Sequence, residues 1–145
     1  MLSLDLALAL RDRGLVWQPV AGDRFVVPDR DLDDQVFLVS PMVVELREVP
    51  DGPPVMAFNG TTEWALDSLQ VTEAVWLPRE DQLRALLGEA FVSLERLPGE
   101  AVGYAVTLAL ADVDAGVPQR HVDVDAESAL ARALLAVGPT GRAPR

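Results

Sequence analysis

The strongest constraint in the sequence is a series of short apolar runs, each cut off by turn-forming residues. These runs are too short for helices, and several are rich in β-branched and aromatic residues. In the first part of the chain they occupy residues 15–17, 24–27, 36–39, 42–47 and 55–58. Because Gly, Pro and Asp stand between them, the runs predict strands that pair antiparallel through turns.

Two segments of the same region carry helix signals instead. The apolar residues of segment 4–13 alternate as in a strand, but Ser3 suits an N-cap and Gly14 suits the position after the last turn. Leu and Ala are also among the best helix formers, so we expect a helix there. Residues 61–69, which begin with two threonines, predict a short second helix.

The clearest helix signals lie further along. Pro78 opens an amphipathic segment that ends at Gly88, and Asp125 precedes another that ends at Val137. The remaining apolar runs, residues 74–77, 91–97, 104–111 and 120–124, predict strands. The sequence therefore predicts an α+β fold, in which a mostly antiparallel sheet is covered by about four helices. We expect one domain over residues 1–137 and a frayed tail over 138–145.

The charge of the chain restricts its partners. Among 145 residues, 23 are acidic and 12 are basic, so the formal charge is −11. Nucleic acids and anionic membranes are bound mainly through Lys and Arg, so the charge argues against both and favours a basic protein. With no cysteine, the chain has no disulfide, no thiolate zinc site and no cysteine nucleophile.

The sequence shows no signal peptide and no membrane span. The amino-terminal residues have no positive charge, and Asp5 interrupts the apolar stretch that a signal peptide would need. No apolar run approaches the ~18 residues of a membrane span. We therefore expect a cytoplasmic protein, as a monomer or a homodimer.

One acidic segment resembles part of a calcium loop. Asp29, Asp31 and Asp33 have the spacing of the first three ligands, but positions 6 and 12 hold Asp34 and Ser40 instead of Gly and Glu. The pattern favours a solvated turn, and a weak cation site or a contact with a basic partner is the alternative.

The single histidine lies in a predicted strand. Period two places His121 on the same face as Asp123 and Asp125, which could orient a general base. However, the chain has no Gly-x-Ser-x-Gly elbow and no cysteine, so no nucleophile is evident. An exposed strand histidine is the favoured interpretation, and a catalytic one stays open.

The three tryptophans are the other candidates. Trp17, Trp64 and Trp76 each lie beside an apolar run, where they either pack in the core or line a groove for a ligand or partner. If a site exists, we expect it where a predicted strand runs into a helix N-terminus. That segment is Asn59, Gly60, Thr61, Thr62, Glu63 and Trp64.

Three local strings carry a resemblance to a known family. They are GLVW and GDRF within residues 14–25, FNGTTEWALD at 58–67, and VWLPREDQL at 75–83. Together they resemble small Gram-positive bacterial proteins that are often labelled pilus assembly protein. A P-loop ATPase shares that label, but this chain has no lysine and hence no phosphate-binding loop of that kind. The resemblance implies a pilus, secretion or phage-related setting, and no catalytic residue is transferred from it.

The sequence as a whole favours a non-enzymatic binding or adaptor domain with no cofactor. An acidic immunity or inhibitor protein that captures a basic toxin is the first alternative. The second is a small hydrolase or metal-assisted enzyme that uses His121 with Asp123, or the Asp29 to Asp34 cluster.

Overall fold

The structure of the protein, a computed structural model, describes residues 1–29, 32–40, 44–58, 68–110 and 117–139. For residues 32–34, 44–45, 57–58 and 68–69 it describes the backbone alone. The α-helices are α1 (Leu4–Asp12), α2 (Glu80–Leu87) and α3 (Ala126–Val137). The strands are β1 (Arg24–Val27), β2 (Leu32–Leu38), β3 (Val44–Arg47), β4 (Val55–Phe58), β5 (Ser68–Gln70), β6 (Val75–Leu77), β7 (Phe91–Arg96), β8 (Tyr104–Leu108) and β9 (Gln119–Asp123). Every pairing between them is antiparallel, so the α+β prediction is confirmed.

The chain forms two compact units. The first comprises Met1–Trp17 together with Pro78–Arg145, and the second comprises Gln18–Leu77. In chain order the second unit is therefore an insertion between α1 and α2. It contains β1 to β6, whereas the first unit contains all three α-helices and β7 to β9.

The first unit is built around α3. Its sheet has the order β7-β8-β9, α3 packs on β8 and β9, and both α1 and α2 pack on α3. The α3 residues that face these elements are apolar and fully buried, as are their neighbours on the other elements. This core includes Leu10, Leu83, Val106, Leu108, Leu130 and Leu134.

The helix ends follow the capping signals of the sequence. The Ser3 hydroxyl accepts a hydrogen bond from the Leu6 N–H at 3.4 Å, and the Asp125 carboxylate accepts one from the Ser128 N–H at 3.0 Å. Gly138 ends α3 with a φ of +79°, in the left-handed region that glycine enters without steric cost. In α1, these local signals prevail over the alternation of its leucines.

The second unit contains two three-stranded sheets, with orders β2-β1-β6 and β3-β4-β5. In the first of them, Phe25 of β1 is in register with Phe37 of β2 and with Trp76 of β6. Paired residues share a face of a sheet, so the three aromatic side chains form one row across it. The Phe25 and Phe37 rings stack with centroids 5.5 Å apart.

Several predicted boundaries are wrong. Residues 15–17 form no strand beyond an isolated bridge at Val16, and β2 begins at Leu32, four residues before the predicted run. The predicted helix 61–69 fails at its end, because β5 starts at Ser68 and Leu69 pairs with Met56 of β4. Non-local pairing decided these positions, whereas the prediction used local propensity.

Other predicted elements lie partly outside the described residues. Residues 61–67 lie outside the described residues, so the described part of the chain holds three of the expected four or so helices. Most of the predicted tail, residues 140–145, and the end of the predicted strand 104–111 also lie outside them.

Truncation of the α3 core is expected to be costly. Because Leu134 is fully buried, Leu134→Ala should lower the free energy of unfolding by about 2 to 5 kcal/mol. Urea unfolding of the purified protein measures this change. Ala136→Ser, at an exposed position of the same helix, serves as the control and should change it by about 0.5 kcal/mol or less. An equally small loss for Leu134→Ala would contradict the assigned core.

Candidate functional site

The predicted site segment lies outside the described residues. This holds for Asn59, Gly60, Thr61, Thr62, Glu63 and Trp64. The two other tryptophans are described: Trp17 is half-buried at the end of the first unit's opening segment, and Trp76 is buried in β6 of the second unit. A groove that combines them with the 59–64 segment therefore stays a prediction.

Trp76 has a buried donor with no acceptor among the described residues. Its side chain is 6% exposed and belongs to the aromatic row with Phe25. The indole Nε1–H is buried and has no hydrogen-bond partner within the part of the chain that the structure describes. Leaving such a donor unpaired costs about 1 to 3 kcal/mol. The burial of Trp76 agrees with the core alternative.

The candidate cation ligands are only partly described. Asp29 has a φ of +67°, the left-handed conformation that Asp tolerates in turns, as expected for a turn at this position. Asp31 lies outside the described residues, as does the side chain of Asp33. Elsewhere among the described residues, no group of three or more His, Asp or Glu side chains is arranged to hold a metal ion.

A further aspartate, missed by the sequence analysis, fixes a turn in the second unit. Asp23 is almost fully buried, and its carboxylate accepts a hydrogen bond from the Val20 N–H at 3.0 Å. Its backbone C=O accepts one from the Val39 N–H at 2.9 Å. The turn residues Ala21 and Gly22 before Asp23 carried the signal for this role.

His121 and Asp123 lie on the face of β9 that packs against α3. Asp123 accepts a hydrogen bond from Arg132 Nε of α3 at 2.5 Å, which places it on the face of β9 that α3 covers. Alternation puts His121 on that same face, and its Nε2 is buried without a hydrogen-bond partner among the described residues. The expectation of an exposed histidine is therefore wrong. The other carboxylate oxygen of Asp123 accepts a hydrogen bond from the Val124 N–H at 2.7 Å, so the described contacts of Asp123 are to Arg132 and to the backbone.

Asp125 joins the two ends of the first unit. Besides capping α3, its Oδ2 lies 2.7 Å from the amino-terminal ammonium of Met1. Partial burial alone would raise the pKa of Asp125. The hydrogen bond from the ammonium, those from Ser128 and the attraction of the positive charge outweigh burial, so the pKa lies below its ordinary value.

Negative charge is divided unequally between the two units. The second unit, residues 18–77, has 11 acidic and three basic residues, a formal charge of −8. The first unit has 12 acidic and nine basic residues, a formal charge of −3. Although the first unit is the longer of the two, the second therefore carries most of the charge that would attract a basic partner.

The second unit also exposes apolar side chains on an edge strand. In the β2-β1-β6 sheet, Phe37 of β2 stacks on Phe25. Its neighbours Val36 and Leu38 point to the opposite face by alternation, and they are 38% and 57% exposed. Leu38 is in register with Arg24 of β1. An acidic unit thus presents two large apolar residues to solvent.

Comparison of the chain with protein-family models, with curated proteins and with solved structures yields no match. Among the described residues, no helix combines the length and the apolar character needed to cross a membrane.

Removal of the Asp125 cap should give a pH-dependent loss of stability. At pH 7, Asp125→Ala should lower the free energy of unfolding by about 1 kcal/mol, because α3 loses its cap. Since the fold lowers the pKa of Asp125, its ionised form contributes fully at neutral pH. That contribution disappears as the pH falls through the lowered pKa, below about 4.

Urea unfolding of the wild type and of Asp125→Ala, at several pH values between 7 and 3, measures this difference in the free energy of unfolding. The control is Asp12→Ala, which removes an exposed carboxylate and should change stability little at any pH. A deficit of Asp125→Ala that stays constant down to pH 3 would show that the carboxylate charge is not involved.

Proposed function

We propose that this protein is a non-enzymatic binding or adaptor domain, and that its second unit presents the recognition surface to a basic protein partner. The observation that carries the proposal is the combination found there: a formal charge of −8 with Val36 and Leu38 exposed on β2. Charge steers a basic partner toward the surface, and apolar contacts then hold it.

The arrangement of β2 supports this proposal. Val36 and Leu38 stand on a strand whose other face is held by the stacking of Phe37 on Phe25, so their positions are fixed before a partner binds. A preformed surface loses less conformational entropy on association than a mobile one. The segment 59–64 belongs to the same unit, as do Asp29, Asp31 and Asp33, so these sequence candidates fall within the unit that we propose binds the partner.

The setting of this adaptor is part of the proposal. The resemblance of residues 14–83 to small Gram-positive proteins labelled pilus assembly protein supports a role beside a pilus, secretion or phage-related machine. We place that role in the cytoplasm, because the chain has no cysteine and proteins of that compartment rarely form disulfides.

Loss of one apolar side chain from β2 should weaken partner capture. Leu38→Thr removes apolar area but keeps a strand-forming residue, so it should reduce the partner recovered at high salt by about tenfold. The measurement is affinity capture with quantitative mass spectrometry, for the wild type and the variant side by side.

The matched control is Val102→Thr, which changes a residue of similar exposure, 49%, in the first unit. It should retain the partner as the wild type does. If both variants retain the partner equally, the β2 surface is not the recognition surface.

A second candidate function follows from the charge alone. An acidic immunity or inhibitor protein would use the −8 charge of the second unit to capture a basic toxin rapidly. The adaptor and the inhibitor differ in how binding depends on salt, because screening weakens steering but not apolar contact.

Stopped-flow binding of the identified partner separates the two. For both functions, steering by the −8 charge should make the association rate constant fall between about 0.05 M and about 0.5 M salt. For an inhibitor held by charge pairs, the dissociation rate constant should also rise about tenfold or more, whereas for the adaptor, held by apolar contacts, it should change by less than about threefold. A partner without excess basic charge would contradict the inhibitor function.

A further inference from the structure

The first unit has an exposed sheet face beside β9. Because Asp123 faces α3, its neighbour Val122 lies on the opposite face of β9, where it is 50% exposed, and Val124, which is 73% exposed, follows the end of the strand. Arg120 shares this face, and Glu95 of β7 neutralises it through an ion pair of 2.6 Å. At β9 the open face is therefore apolar, with its one cation already paired within the sheet.

β9 is also a regular edge strand. Among the described strands it pairs with β8 alone, through five consecutive residue pairs without a register shift. The opposite edge, β7, is interrupted by an irregularity between Phe91 and Ser93. Natural edge strands are usually protected by Lys, Pro, bulges or inward charges. In β9 the inward carboxylate of Asp123 is already paired with Arg132 of α3, and the strand contains no Pro and no register shift. A regular edge with an exposed valine is a surface that another strand can extend.

We propose that β9 pairs antiparallel with β9 of a second copy of this chain, about a two-fold axis at Val122. The two three-stranded sheets then become one six-stranded sheet. Because opposed residues of a continuous sheet share a face, only registers centred on a residue keep the α3-covered faces on the same side. This leaves a small number of registers to compare.

Charge complementarity selects among these registers. A two-fold axis at Arg120 would oppose two guanidinium groups, and an axis at Asp123 would oppose two carboxylates. An axis at His121 would set Arg120 against Val122. Like charges in opposed positions destabilise a sheet, whereas β-branched apolar pairs stabilise it.

The axis at Val122 avoids each of these mismatches. It opposes Val122 to its own copy, and it sets His121 opposite Asp123 of the second copy on both sides of the axis. Arg120, whose charge is already paired with Glu95, then lies opposite position 124, which follows the end of β9 and brings no like charge against it. The strand is therefore self-complementary, which favours a second copy over an unrelated strand.

The charge partition is compatible with this pairing. β9 belongs to the unit with a formal charge of −3, and the −8 charge lies on the other unit. Two copies still repel each other, so added salt should strengthen self-association. Binding of a basic partner to the second unit has the opposite salt dependence, so this inference does not rest on the proposed function.

Disulfide trapping tests the register, because the chain contains no cysteine of its own. Val122→Cys places one thiol per chain at the axis, where opposed Cβ atoms come within disulfide range. Val102→Cys, at a position of equal exposure in the same unit but outside β9, is the control. Under mild oxidation we expect Val122→Cys to form a linked dimer about tenfold faster or more than Val102→Cys. Equal rates would overturn the proposed register.

Sedimentation velocity tests the association without a cross-link. We expect the wild type to form dimers whose fraction rises between about 0.05 M and about 0.5 M salt. Val122→Lys should be monomeric, because it places two cations at the axis, whereas Val102→Lys makes the same charge change and should dimerise like the wild type. Far-UV circular dichroism confirms that both variants are folded. A wild type that is monomeric at all concentrations, or a folded Val122→Lys that still dimerises, would overturn the proposal and leave the edge to a strand of another protein.

Discussion

The first unit depends on the burial of one face of α3. Leu130, Ala133 and Leu134 lie on that face and are fully buried against β8, β9, α1 and α2. Each fully buried leucine contributes about 1.5 to 3 kcal/mol, and neither a three-stranded sheet nor two short helices could exclude water from its apolar side alone. The helix that ends the unit thus completes a core whose other parts come from both sides of a 60-residue insertion.

The first turn of α3 explains how the separated parts of the unit are joined. Asp125 caps the helix and binds the ammonium of Met1, and Glu127 accepts a hydrogen bond from the Leu2 N–H at 2.7 Å. The positive end of the helix dipole favours both carboxylates at this position. The same acidic turn therefore stabilises α3 and fixes the beginning of the chain against it, and further along the helix Arg13 donates to the Leu135 C=O at 3.2 Å.

Local signals in the sequence predicted where helices begin and end, but they did not predict which strands pair. Ser3, Asp125 and Gly138 set helix ends through contacts within a few residues, so α1 and α3 could be predicted almost residue by residue. The row of Phe37, Phe25 and Trp76 joins strands that are far apart in sequence, and no local pattern contains that information. The burial of His121 Nε2 has the same origin, because it depends on where α3 packs. The division into two units, and with it the uneven charge, likewise follows only from the contacts.

That uneven charge couples the two proposed interactions. Repulsion between two copies of a chain with charge −11 opposes pairing through β9. The second unit of each copy carries −8 of that charge. A basic partner on the second unit would neutralise part of this charge, so it would favour dimerisation. By thermodynamic linkage, dimerisation would raise the affinity for the partner by the same factor, since the paired copies concentrate negative charge. Because the coupling is electrostatic, it should be strongest at low ionic strength and vanish at high salt, where the β9 contact alone decides the oligomeric state.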